Sequence, residues 1–306
     1  MRMRKKNQAN LACLLTAMVW GGGFIATAAA LRTFDPGTTL MLRFSGAAIV
    51  FWLICLVAKI RFNRACVKAS VWSGVFLYSA FLLQTIGLRY TSTGMNAFLT
   101  AVNVVLVPYL VWLVFRKRPQ RRQFAASLLC LGGIGCLSLS SGSFSFNVGD
   151  GLSLGCAVLF AAQIIATERA AKTGNPMAVN AIQMSVAALL SFPYALGMET
   201  WPASVPAMAW GSIAYSIFIA TTLAYMLQTW AQKYTDAASA SVLLCTESLF
   251  ANVFGWLLLG ETKTPVMVLG GILIFLSVLL VEGVFHRKSA SDPEAEAKEE
   301  RLCDSL

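Results

Sequence analysis

Along most of the chain, apolar positions follow one another without alternation, in stretches of Leu, Val, Ile, Ala and Phe separated by short polar breaks. A helix needs roughly 20 apolar residues to cross hydrocarbon. Ten runs meet that requirement: 10–31, 38–58, 69–89, 94–115, 122–141, 150–170, 177–198, 207–229, 236–259 and 265–286. Strands of a membrane barrel would alternate over roughly ten residues, and these runs do not. The pattern therefore predicts an all-α membrane protein with ten transmembrane helices. Its short connections suit a compact bundle, with clear breaks at Ser140-Ser141-Gly142-Ser143 and Glu199-Thr200-Trp201-Pro202. The basic start, Met1 to Lys6, resembles that of a signal peptide, and Ala26 to Ala30 offer small residues for cleavage. The first run is longer than a signal's apolar segment and holds Trp20-Gly21-Gly22-Gly23, so it is expected to remain as a packing helix.

Charge then orients the bundle. With a cytoplasmic N-terminus, 18 Lys and Arg fall at cytoplasmic helix ends, including Arg2 to Lys6, Lys59 to Lys68 and Arg116 to Arg122. The opposite side holds three: Arg32, Arg89 and Lys263. Positive charge is retained on the cytoplasmic side, so both termini are expected there, in a multi-pass protein of the inner membrane.

Composition removes competing classes. Of the 306 residues, 57% are hydrophobic and 12% charged, and mean hydropathy is +0.68. That is about half the charge of a soluble domain and far too apolar for disorder. Residues 1–288 carry 22 basic and 8 acidic groups, and the basic ones cluster between apolar runs; this is a membrane pattern, and no nucleic-acid partner is expected. Residues 287–306 form a charged, acidic-rich tail, expected to be solvated. One His, His286, excludes His-based catalysis and His-rich metal sites, and no Ser/His/Asp set can form in the membrane body. The eight Cys are scattered without a C-x-x-C and read as small buried hydrophobes. No P-loop is present. Neither an enzyme, a metal nor a cofactor is expected.

The chain also repeats itself. Residues 83–91, Leu-Gln-Thr-Ile-Gly-Leu-Arg-Tyr-Thr, match 227–235, Leu-Gln-Thr-Trp-Ala-Gln-Lys-Tyr-Thr, at an offset of 144. The same offset brings Leu99 to Leu243, Trp112 to Trp256 and Leu113 to Leu257. It spans five predicted helices, an odd number, so the second copy enters from the other side. Inverted repeats let two halves rock about a midplane site, the architecture of secondary transporters. Two five-helix repeats, 10–145 and 146–286, are expected between a basic segment, 1–9, and the tail.

Several motifs carry a family resemblance. Val19-Trp20-Gly21-Gly22-Gly23-Phe24, Asp35-Pro36 followed by Leu42-Arg43-Phe44, and the turns Arg89-Tyr90-Thr91-Ser92 and Lys233-Tyr234-Thr235-Asp236 are similar to those of the drug/metabolite transporter superfamily, EamA type. So are Trp256-Leu257-Leu258-Leu259-Gly260-Glu261 and Gly270-Gly271-Ile272-Leu273-Ile274. The resemblance covers about 10–286 and implies ten helices in two five-helix repeats. It also implies transport, with export favoured, of amino acids or other small metabolites. Glu247-Ser248 stands where the family usually reads Glu-Pro, and the first repeat ends Arg116-Lys117-Arg118-Pro119 rather than on Gly-Glu.

Glu247, near the middle of the ninth run, is the most informative residue. A charge at mid-membrane costs roughly 2.5–3.5 kcal/mol on the insertion scale, so this side chain should face a cavity, find a donor or bind a proton. Proton coupling or cation contact is one reading, and a hydrogen-bonded helix clamp the other. Asn103 is its repeat mate. Gln84 and Gln228 are a second mated pair, and Gln163, Gln183, Asn96 and Asn252 add further amides; each lines a substrate path or bonds between helices. Trp20, Tyr225 and Trp230 are candidate cavity walls. Arg43 either snorkels outward or meets an anionic substrate group or a helix-end carbonyl. Pro108 and Pro193 fall inside helices, where they permit kinks. Gly151 and Gly155 form a G-x-x-x-G packing or dimerisation signal, which leaves monomer and homodimer open.

The residues thus predict a secondary transporter of small metabolites, possible proton coupling included, whose partners are a small-molecule substrate and the bilayer. Two alternatives remain: a lipid-linked carrier flippase of the same superfamily, and a membrane receptor or scaffold that does not transport.

Overall fold

A computed structural model describes residues 2–91, 93–116, 118, 120–138, 147–259 and 264–282. The expectations for Ser140 to Ser143, Pro119, Gly260, Glu261, His286 and the tail lie outside the described residues, as do those for the side chains of Phe24, Asn252, Trp256 and Glu282. Among the described residues the chain is helical: α1 (Arg2–Ala30), α2 (Pro36–Val57), α3 (Arg64–Gly87), α4 (Thr93–Ala101), α5 (Asn103–Phe115), α6 (Arg121–Ser138), α7 (Val148–Thr173), α8 (Pro176–Met198) and α9 (Ala207–Tyr215). A π-helical segment, Ser216–Leu223, follows, and then α10 (Ala224–Gln232), α11 (Ala237–Leu244), α12 (Glu247–Leu259) and α13 (Pro265–Glu282). Among the described residues six helices are long and apolar enough to span a bilayer: α2, α3, Met95–Phe115, α7, α8 and Ala207–Gln232. Two shorter apolar helices, Ala237–Phe250 and Pro265–Val281, join them.

Short polar side chains start these helices by satisfying amides that the first turn leaves open. Asn63 Oδ1 accepts from Cys66 N at 2.7 Å, and Asn175 Oδ1 from Met177 N at 2.9 Å ahead of Pro176. Asn147 and Asp150 form a reciprocal capping box at α7. Asp236 accepts from Ser239 N at 2.9 Å.

α3 packs along α7 and α8, α2 along α8, α6 along α13, and α1 along α10 and α12. Glycine sets the closest of these approaches. A Cβ on Gly74 would lie 2.7 Å from Gln183 O of α8, and one on Gly133 would lie 2.7 Å from Gly270 O of α13. Of the G-x-x-x-G pair, Gly155 faces Leu83 of α3, whereas a Cβ on Gly151 would meet nothing within 4 Å. Pro108 and Pro193 both lie inside helices, α5 and α8.

Buried polar side chains bond between helices. Ser73 Oγ donates to Gln183 Oε1 at 2.7 Å, and Gln183 Nε2 to Asn180 Oδ1 at 2.6 Å. Asn180 Oδ1 also accepts from Thr229 Oγ1 at 2.7 Å, and Asn180 Nδ2 donates to Tyr225 O at 3.0 Å. Gln183 is therefore an interhelical tie linking α3, α8 and α10, not a cavity residue.

Candidate functional site

Two of the predicted helices are interrupted. The fourth run breaks at Val102, between α4 and α5, and the ninth at Cys245 and Thr246, between α11 and α12. Val102 and Thr246 are 144 positions apart, the offset of the sequence repeat. The second break forms although Ser248 stands where a proline was expected, so proline is not what bends this helix. The breaks meet in space: Cys245 Sγ lies 3.9 Å from Ala101 O and 3.6 Å from Asn103 Oδ1. Asn103 and Glu247 become the first residues of α5 and α12.

Beside the breaks lies a cavity that offers about 90 Å³ to the centres of water molecules. One water needs roughly 10–15 Å³ on this measure, so there is room for several. Its lining reaches Thr27 near the end of α1 and Leu88 just past α3. At the opposite end α7 is tied to α10 and α11. Gln232 Nε2 donates to Ile164 O at 3.0 Å, and Ala237 N to Glu168 Oε2 at 2.9 Å. Glu168 pairs with Lys172 rather than with its neighbour Arg169, whose guanidinium stacks on Phe115.

Eight of the twelve candidates singled out in the sequence line this cavity: Trp20, Arg43, Gln84, Asn103, Gln163, Tyr225, Gln228 and Glu247. Asn96 does not. It sits behind the wall, donating to Gln84 O at 3.2 Å and Ser153 Oγ at 2.9 Å, and so holds α4 against α3 and α7. Trp230 also stays outside, packed on Tyr234.

The amides differ in how far they are satisfied. Gln163 Nε2 donates to Thr167 Oγ1 at 2.8 Å, and Gln84 Nε2 to Thr100 Oγ1 at 3.4 Å. Gln228 is 1% exposed, and its Oε1 has no partner among the described residues. Glu247 has neither an ion pair nor a side-chain hydrogen bond among the described residues, where the two salt bridges are Arg89–Asp35 and Lys172–Glu168. The helix-clamp reading of Glu247 finds no donor there.

Arg43 does not snorkel. It is 5% exposed, lies 4.6 Å over the Phe81 ring, and donates from Nε to Thr221 Oγ1 at 2.5 Å and from Nη2 to Ala220 O at 3.4 Å. Packing against Phe81 and the π-helical segment turns it into the bundle. Trp20 Nε1 donates to the same Ala220 O at 2.9 Å, and its ring meets Tyr225 at 5.4 Å. Phe81 and Phe160 complete the aromatic wall, their centroids 5.1 Å apart. Phe81, Phe160, Thr100 and Ala220 carry no sequence signal that separates them from ordinary packing residues. Among the described residues no three His, Cys, Asp or Glu side chains are grouped to hold a metal ion.

The arrangement is a small cavity with room for several waters within a membrane-type bundle, flanked by paired helix breaks, with one carboxylate and one guanidinium in an otherwise neutral wall. Comparison with known proteins agrees with a transport role. The model of the EamA-like transporter family matches residues 7–139 and 147–283. An uncharacterized transporter of Archaeoglobus fulgidus is 32% identical over 90% of this chain and 86% of its own length. A protein of Chlamydia trachomatis named S-adenosylmethionine/S-adenosylhomocysteine transporter is 24% identical, over 82% of each chain. One crystal structure shares the fold with a TM-score of 0.76 at 17% identity, over 90% of this chain and 98% of that one. With the family matched along nearly its whole length, this chain belongs to the EamA-like transporters.

Proposed function

We propose that this protein is a secondary transporter, an exporter of small metabolites such as amino acids, working by alternating access with Glu247 as the proton-coupling group. In this reading all ten apolar runs cross the inner membrane and both termini are cytoplasmic. Residues 10–145 and 146–286 are two inverted five-helix repeats, the moving halves, with 1–9 and 287–306 as cytoplasmic ends. The observation that carries the proposal is Glu247 itself: an acidic side chain without a partner among the described residues, opening on a cavity where two helices break. A charge left unpaired inside a membrane bundle costs several kcal/mol, so such a group is expected where a ligand or proton meets it.

The packing supports the repeat. α2 lies on α8 and α6 on α13, each helix against the one 144 residues on, while α1 on α10 is matched by α7 on α3. The breaks at Val102 and Thr246 obey the same offset. Discontinuous helices at the repeat interface are where such transporters bind cargo.

The test is reconstitution into liposomes with a pH gradient. Amino acids are the first cargoes, with S-adenosylmethionine and S-adenosylhomocysteine added on the strength of the relative that carries those names. Flux of at least one cargo is expected, with its pH dependence lost in Glu247→Gln. No flux with any of them would favour a scaffold. Unchanged flux across pH in a normally expressed Glu247→Gln protein would remove the coupling role.

A further inference from the structure

The π-helical segment Ser216–Leu223 breaks the symmetry of the two halves. Its counterparts 144 residues earlier, Trp72 to Ser79, lie in the regular helix α3. In a π turn the amide reaches one residue further back, which displaces a carbonyl from the usual ladder, and such turns gather at functional sites. Here the Ala224 amide bonds Ile219 O and Thr221 O, on either side of Ala220 O. Ala220 O instead receives Trp20 Nε1 from α1 and Arg43 Nη2 from α2. The next residue, Thr221, is fully buried and accepts from Arg43 Nε through its hydroxyl.

Among the described residues the contacts made to Arg43 in this corner are neutral: a hydroxyl, a carbonyl and the face of Phe81. Those contacts fix the plane of the guanidinium without cancelling its charge. Neither ion pair among the described residues includes it. A structural role alone would not call for a buried cation, because a neutral amide would make the same two hydrogen bonds without the cost of desolvating a charge. Arg43 nonetheless lines the cavity, and a planar guanidinium held by its Nε edge and one face is suited to take a carboxylate.

We infer that the π turn holds Arg43 as a fixed anion contact, so that Arg43 selects cargo bearing a carboxylate and Thr221 is its positioning residue. This rests on the transport reading above and adds a specificity determinant to it. Thr221 acts only through Arg43. Its removal should therefore change discrimination between cargoes and leave affinity for a cargo without a carboxylate unaltered.

The test uses leucine and 3-methylbutylamine, which share an ammonium and an apolar body and differ by the carboxylate. Binding is read by thermal stabilisation of the purified protein, and KM by counterflow in proteoliposomes. Wild-type protein should prefer leucine by about tenfold. Thr221→Val should lose most of that preference by weakening leucine alone, and Thr221→Ser should restore it. Arg43→Gln should abolish it, and decides the matter should Thr221→Val fail to fold. Equal weakening of both compounds in Thr221→Val would mark a merely structural role and overturn the inference. So would a wild-type protein that binds the two equally, prefers the amine, or binds neither. If leucine is bound by preference but never moved, the transport reading fails while the anion contact stands.

Discussion

Glu199 Oε1 accepts from Gly37 N at 2.7 Å although 162 residues separate them, and Glu199 Oε2 takes Thr38 N at 2.7 Å and Thr38 Oγ1 at 3.0 Å. The residue that follows α8 thus caps the start of α2, where Asp35 makes no side-chain cap of its own. An anion at a helix N-terminus satisfies open amides and opposes the helix dipole. Glu199→Ala should cost about 1–3 kcal/mol and lower the melting temperature by several degrees, with Glu199→Gln falling between. A melting curve of the detergent-purified protein unchanged by Glu199→Ala would show that water replaces the cap without loss.

Adjacent glycines of α6 should respond oppositely to the same methyl group. A Cβ on Gly133 would meet Gly270 O at 2.7 Å and Ile274 Cγ1 at 2.8 Å, whereas one on Gly132 meets nothing within 4 Å. Overpacking costs about 1–3 kcal/mol, while alanine in an open helical position gains up to about 1 kcal/mol over glycine. Gly133→Ala should therefore melt lower than the parent protein and Gly132→Ala at the same temperature or higher. Equal melting of the two variants would contradict the close α6–α13 contact.

The apolar runs announced where helices lie because a spanning helix must be apolar nearly all along its length, and periodicity hardly enters. The isolated carboxylate and amides announced the cavity for the same reason: in an apolar run a polar side chain must have a use. Function and packing then diverge. Asn96 and Gln183 belong to the same residue class as Gln84 and Gln228, yet they bond between helices, and no local pattern separates a wall amide from a tie. Arg43 stood near a helix end, where snorkelling is the ordinary outcome, and only the fold brings Phe81 and Thr221 beside it. The π segment was invisible, since residues 216–223 read as plain apolar helix.

Orientation is open to chemical labelling. Arg61, in the connection between α2 and α3, and Thr200, after α8, are both exposed, and the charge bias predicts opposite faces of the membrane for them. Six of the seven described cysteines are buried, so their background reactivity should be low. Arg61→Cys should react with a membrane-impermeant maleimide only in inverted vesicles, and Thr200→Cys only in intact cells. Labelling of both from one side would break the ten-helix topology.

The ties from α7 to α10 and α11 close the end of the bundle opposite Thr27 and Leu88. The alternating access proposed above would require that they part. Gln232 and Glu168 each satisfy a backbone group of another helix, so weakening them removes interactions present in this state and absent from the state open at that end. An equilibrium moves only by such a difference between states, and the loss of about 1.4 kcal/mol shifts it tenfold. Glu168→Gln combined with Gln232→Ala should therefore populate the opposite state. Ile164, 5% exposed and on the cavity wall, reports it. A cysteine placed at Ile164 should label about tenfold faster from the α7–α10 end in the double variant than in the parent, and excess cargo from the other side should slow it again. Equal labelling in parent and variant would mean that this end stays shut for other reasons, and that Gln232 and Glu168 fasten the bundle without gating it.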